Sequence, residues 1–145
     1  MLFRSLDTTV LLYAVGGEHA LRDPCRAILS AVAEGLVVTT TPEVLQEFCH
    51  ARSRRHGRED AVRLTERYAQ LLAPLVTTES RDLLDALPLY ADNERLGMFD
   101  SVMITVARNG GMSVLSADRA FGTVPDLVWL DPADPGVVAE LVRRG

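Results

Sequence analysis

Short apolar runs of strand character alternate along this chain with segments of helical spacing, and that alternation restricts the fold to an α/β architecture, a parallel sheet covered by helices on both faces. Leu2 to Leu6, Leu36 to Thr39, Pro74 to Thr77, Ser113 to Ser116 and Leu127 to Leu130 read as strands. A short helix from Thr8 through Val15, ended by Gly16 and Gly17, follows the first of them. Asp23 is placed to cap the next helix, with Pro24 in its first turn, Gly35 past its end, and Ala27, Ile28, Ala31 and Val32 at apolar spacing. Thr41 and Pro42 open a helix carrying Glu43, Val44, Leu45, Glu47 and Phe48. The arginine-rich stretch Arg52 to Arg58 is expected to separate it from an amphipathic helix over Glu59 to Leu72. Ser80 is placed to cap a helix over Asp82 to Tyr90, which Pro88 should bend or end. Met98 to Asn109 reads as a helix stopped by Gly110 and Gly111, and a turn of helix closes the chain after DPADPG.

A length of 145 residues suits one domain, expected over residues 1–145, around one core. A hydrophobic share of 48% with 24% charged residues belongs to a globular chain and not a disordered one. The apolar stretch Val10 to Val15 is far too short to span a membrane, and Asp7 interrupts any signal-peptide core, so a cytoplasmic location is expected. Cys25 and Cys49 have no CxxC spacing and read as buried free thiols. All 15 basic residues are arginine, which excludes a P-loop lysine, a Schiff-base lysine and the lysine of a phospho-acceptor receiver domain. The net charge of −5 leaves nucleic acid open as a partner, because an acidic pocket attracts phosphate once metal fills it.

Four apolar segments each deliver one carboxylate: Asp7 after LFRSL, Glu47 in TPEVLQEF, Asp100 in GMFDSVMITVA and Asp118 in MSVLSAD. Asp7 and Asp118 sit at strand ends, where ligands bind in α/β sheets, but each can also cap the turn or helix that follows. Asp100 lies among Met98, Phe99, Val102, Met103 and Ile104, and Glu47 between Leu45 and Phe48. Carboxylates in such surroundings are rarely left without a partner or a metal. Glu43, four residues before Glu47, shares its helical face and is either a supporting residue or an acid favoured by the helix N-terminus. Asp60, Glu59, Glu66 and Glu79, and with them Asp82, Asp85, Asp92 and Glu94, read as solvated faces or caps.

The segments DTTVLLYA, TPEVLQEF, FDSVMITVARNGG and LSADRAF, with the closing VWLDP, resemble the PIN-domain ribonucleases, in particular the VapC-type toxins of bacterial toxin–antitoxin pairs. The resemblance implies a three-layer α/β/α sandwich with a central parallel sheet and its acidic residues at the strand ends. Asp7, Glu47, Asp100 and Asp118 match the family's catalytic acids, and Thr8 and Ser116 would lie near them. Thr9 stands where many relatives have Asn, and Ala120 where many have a further Asp, which leaves open whether one metal ion or two are held. The resemblance further implies hydrolysis of RNA, inhibition by a cognate antitoxin protein, and a homodimer. Mg²⁺, with Mn²⁺ able to substitute, suits an all-oxygen ligand set of Asp7, Glu47, Asp100 and Asp118.

Arg52, Arg54, Arg55 and Arg58, with His56, form a second candidate, since guanidinium groups grip phosphates in a bidentate manner. Solvated arginines at a helix end are the plainer alternative. Two other classes compete with the nuclease. Glu47 and His50 form one ExxH pair, but a di-iron bundle needs two. A noncatalytic α/β protein-binding module would use the carboxylates as caps and the arginines as a docking face.

Overall fold

The computed structural model describes residues 3–145. Leu2, at the start of the expected first strand, lies outside the described residues. The described elements run β1 (Arg4–Leu6), α1 (Thr8–Val15), α2 (Arg22–Ala33), α3 (Pro42–His56), α4 (Arg58–Leu71), α5 (Ser80–Asp92), α6 (Met98–Asn109), β2 (Ser113–Leu115), a 3₁₀ turn (Arg119–Thr123), β3 (Trp129–Leu130) and α7 (Pro135–Arg144). The strands pair in parallel in the order β1-β2-β3, with Leu6 opposite Leu115 and Leu115 opposite Leu130.

Successive strand residues point to opposite faces, and β2 divides the core accordingly. Leu115 joins Leu6, Val10, Ile28, Phe48 and Leu141 in a core built from α1, α2, α3, α4 and α7. Val114 joins Met103, Ile104, Ala107 and Phe121 in a second core under α6. Helices therefore cover both faces of the sheet, which makes a three-layer α/β/α sandwich. Each fully buried large side chain contributes roughly 1.5–3 kcal/mol of transfer free energy, so both faces supply substantial stability.

Two expected strands do not form. Thr39 makes a single bridge to Ser5, donating its amide to the Arg4 carbonyl at 2.8 Å and accepting the Leu6 amide at 3.0 Å. The next amide of the first strand end, that of Asp7, goes instead to Leu115, so residues 36–40 run along the free side of β1. Pairing stops there because Thr41 already caps α3 and Pro42 begins it. Among the described residues, residues 74–77 reach the sheet edge through the Val76 amide, which donates to the Thr40 carbonyl at 2.9 Å, and through the Thr39 hydroxyl, which donates to the Pro74 carbonyl at 2.8 Å. Proline has no amide hydrogen to extend that contact.

Helix boundaries also depart from expectation. Leu21, not Asp23, occupies the N-cap of α2, and Asp23 lies in its first turn. Glu79, not Ser80, caps α5, in a box closed by the Glu79 amide donating to Asp82 Oδ2 at 2.8 Å. Asp82 is buried and also accepts from Asn109 Nδ2 at 2.8 Å, tying the start of α5 to the end of α6. Helix α5 continues through Pro88 to Asp92. The carbonyl that Pro88 leaves without its helical partner belongs to Leu84, an exposed residue, where burial does not penalise the loss. The arginine-rich stretch is helical to His56, and Gly57 alone, at φ 85°, separates α3 from α4. Cys25 is buried, and burial pushes its thiol up to about 12, whereas Cys49 is only half-buried.

Candidate active site

The carboxyl ends of β1 and β2 lie side by side, and the residues leaving them build the site. Asp7 follows β1 at the N-cap position of α1, with extended backbone, yet its side chain does not cap the helix. Thr9 and Ser116 hydroxyls instead both donate to Asp7 Oδ2, at 2.9 and 2.8 Å. Ser116 Oγ in turn accepts the Asp118 amide at 3.0 Å, and Thr9 Oγ1 accepts the Ala117 amide at 3.0 Å. These bonds lock the two strand ends together and orient Asp7. Trp129 Nε1 donates to the Ser116 carbonyl at 3.0 Å, which fastens β3 to the same corner.

Glu47 reaches the site from the middle of α3 and Asp100 from the first turn of α6. Thr8 Oγ1 donates to Glu47 Oε2 at 2.9 Å, holding that exposed carboxylate toward β1. Asp7, Glu43, Glu47 and Asp100 line one cavity of about 210 Å³. Asp118 stands beside this cavity, half-buried, and its Oδ1 accepts the Ala120 amide at 2.9 Å as the cap of the 3₁₀ turn. Both readings of Asp118 are thus compatible, because the cap uses one oxygen only.

The electrostatics are unfavourable for charge without a cation. Asp7 is 4% exposed, and burial raises its pKa above the ordinary value against the opposing hydrogen bonds of Ser116 and Thr9. Asp100 is pushed up to about 7, first by burial and then by the charges of Asp7, Glu47 and Asp118. Among the described residues none of these four carboxylates has an ion-pair partner. No three His, Cys, Asp or Glu side chains among the described residues are gathered into a finished ligand set. The cavity lining nevertheless contains several oxygen donors and neither His nor Cys, which fits a hard divalent ion better than zinc or copper.

The arginine cluster divides. Arg52 donates from Nε to Asp60 Oδ1 at 2.6 Å and from a terminal nitrogen to the Val15 carbonyl at 3.2 Å, with its side chain only 13% exposed. That guanidinium joins α3, α4 and the end of α1, which leaves Arg52 less available to RNA than Arg54, Arg55 and Arg58. Asp60, read from sequence as solvated, is its partner, and the Arg52 hydrogen bond holds its carboxyl below the usual range. Arg54, Arg55 and Arg58 are exposed. Arg55 lines a cavity of about 390 Å³ with Thr9, Tyr13 and His19, so this surface begins at the residue that orients Asp7. The sequence reading missed Thr9 as an orienting group and Phe99 at the mouth of the cleft. Thr9 was legible as a hydroxyl two residues beyond a strand-end Asp, a spacing that favours local side-chain hydrogen bonding.

A parallel sandwich with acidic groups converging at the carboxyl ends of its strands defines a class, and the PIN domain model matches residues 5–127. The chain belongs to the PIN-domain family, among its VapC-type members. It is 41% identical over 145 residues to ribonuclease VapC7 of Mycobacterium tuberculosis, covering 96% of this chain and 98% of that one. Ribonuclease VapC13 of the same organism and VapC ribonuclease Mb1869c of Mycobacterium bovis are each 29% identical over 127 residues, covering 84% of this chain and 95% of theirs.

Proposed function

We infer that the protein is an endoribonuclease, hydrolysing RNA phosphodiester bonds as the toxin of a toxin–antitoxin pair. The observation that carries this reading is the convergence of Asp7, Glu47 and Asp100 on one cavity, with Asp118 beside it and, among the described residues, no basic side chain paired with any of the four. A noncatalytic binding module gives no reason to hold a buried carboxylate on two hydroxyl donors at a sheet's ligand-binding edge.

Mg²⁺, with Mn²⁺ as substitute, is the proposed cofactor, held by Asp7, Asp100 and Asp118 with Glu47 binding directly or through water. The chemistry such an ion supplies is acidification of the attacking water and neutralisation of charge on the departing oxygen. Glu47, exposed and steadied by Thr8, orients that water for in-line attack. Thr9 and Ser116 keep Asp7 aimed, and the Ala120 amide keeps Asp118 aimed, while each leaves its partner a second oxygen for the site. Mn²⁺ titrated into the metal-free protein by calorimetry should bind saturably, and Asp100→Asn should weaken that binding at least about tenfold. Cleavage of RNA should stop in chelator and return with Mg²⁺ or Mn²⁺. Heat equal to that of buffer, with cleavage persisting in chelator, would sink the metal-dependent reading.

Arg54, Arg55 and Arg58 are the proposed phosphate contacts, supported by their exposure and by the cavity that joins Arg55 to Thr9. Replacing Arg54 and Arg55 with Gln should weaken RNA binding and lower the slope of log affinity against log salt by about 1 to 2, since each lost phosphate contact removes counterion release. An unchanged slope would show that these side chains do not face RNA. A cognate antitoxin, a homodimer and a cytoplasmic location belong to the same proposal. Among the described residues no helix is long and apolar enough to cross a membrane.

A further inference from the structure

Among the described residues no large apolar side chain is more exposed than Phe99, at 79%. It occupies the first turn of α6, immediately before Asp100, while Met103, Ile104, Val106 and Ala107 further along the helix are buried. An exposed phenyl ring adds little to either core and is open to contact from outside the fold. Phe99 lines the same cavity as Asp7, Glu47 and Asp100. The same lining contains the apolar Leu83, Met98 and Val102 beside the carboxylates.

A phosphodiester placed among those carboxylates brings its neighbouring nucleotides against whatever surface adjoins them. The adjoining surface here is apolar and ends in an accessible aromatic ring. Aromatic side chains bind unpaired RNA by stacking on bases that are free to leave a helix, and a stacked base is worth tenfold or more in affinity. We propose that Phe99 is a stacking platform for a nucleobase flanking the scissile phosphate. Every base has a π-face, so Phe99 leaves base identity to other contacts. The proposal rests on the ribonuclease reading, in which the carboxylates handle the phosphate.

The test compares wild type with Phe99→Ala, Phe99→Leu and Phe99→Trp in steady-state cleavage of a single-stranded oligoribonucleotide and of single strands with one abasic nucleotide beside the cleavage site. Phe99→Ala and Phe99→Leu should raise KM about tenfold with kcat within about threefold, and Phe99→Trp should keep the wild-type KM. One of the abasic positions should reproduce the Phe99→Ala loss in wild type and add nothing further in Phe99→Ala. An unchanged KM in Phe99→Ala, a Leu variant as good as wild type, or a Phe99→Ala protein that changes only its oligomeric state by light scattering would each overturn the stacking role. The ring is exposed, so these variants should fold. Fluorescence of Trp at position 99, with the signal of Trp129 subtracted using wild type, should be quenched by the intact single strand and not by the strand lacking the flanking base. If wild type cleaves no RNA, the ribonuclease reading fails and this quenching still decides the stacking. If wild type cleaves and Phe99→Ala is unimpaired, the stacking fails and the ribonuclease reading stands.

Discussion

Asp7→Asn, Asp100→Asn and Asp118→Asn are each expected to lower RNA cleavage at least about a hundredfold, the scale of losing one preorganised group at developing transition-state charge. Local geometry keeps the comparison interpretable. The Thr9 and Ser116 hydroxyls both donate to the same oxygen of Asp7, so the carbonyl oxygen of Asn at that position still accepts both bonds. Asp118 uses one oxygen to accept the Ala120 amide, which the Asn carbonyl also accepts. The variants therefore lose charge while keeping the contacts that shape the corner. Cleavage by purified variants, read beside circular dichroism and denaturant midpoints, separates chemistry from folding. Wild-type rates in any two of the three would show that the acidic cluster is not the catalytic centre.

Asp7 and Asp118 stand out in the sequence because each follows a strand, and an α/β sheet gathers its strand ends, whereas Asp100 stands out as a carboxylate within an apolar helical segment. Strand pairing was less legible, since it depends on partners far away in the chain. Leu36 to Thr39 has the composition of a strand, but a turn at Gly35 and the cap at Thr41 leave room for one bridge. The fate of Arg52 was hidden for a similar reason. Its partner Asp60 lies on the next helix, and the sharp break at Gly57, which a run of polar residues does not announce, folds that helix back against it. The caps at Leu21 and Glu79 show the limit of single-residue signals, because Asp23 and Ser80 have good capping chemistry one or two positions too late. The exposure of Phe99 was illegible, as its apolar neighbours in the sequence suggested burial.

Metal-free wild type is expected to lose stability as pH rises from about 4 to about 7, and Asp100→Asn is expected to lose much less. In the unfolded chain Asp100 titrates near its ordinary 3.8, but in the folded protein burial and the neighbouring carboxylates raise it to about 7. Between those values the folded state binds more protons than the unfolded state, so stability falls as pH rises and levels off once Asp100 is ionised in both. The raised pKa of Asp7 acts with the same sign. Full conversion of the Asp100 shift would give roughly 4 kcal/mol, and water around this partly exposed group reduces that to about 1–2 kcal/mol. At pH 8 in chelator Asp100→Asn should therefore be the more stable protein by about 1–2 kcal/mol, an active-site residue retained at a cost to the fold. Mn²⁺ should reverse the order, since an ion bound only by the folded state adds stability with the logarithm of its concentration over its dissociation constant, and the variant binds it more weakly. Urea titrations of both proteins at pH 5 and pH 8, with and without Mn²⁺, measure these differences. A variant that unfolds earlier than wild type in chelator at pH 8, and that gains as much from Mn²⁺, would make Asp100 a structural residue and remove it from the ion's ligand set.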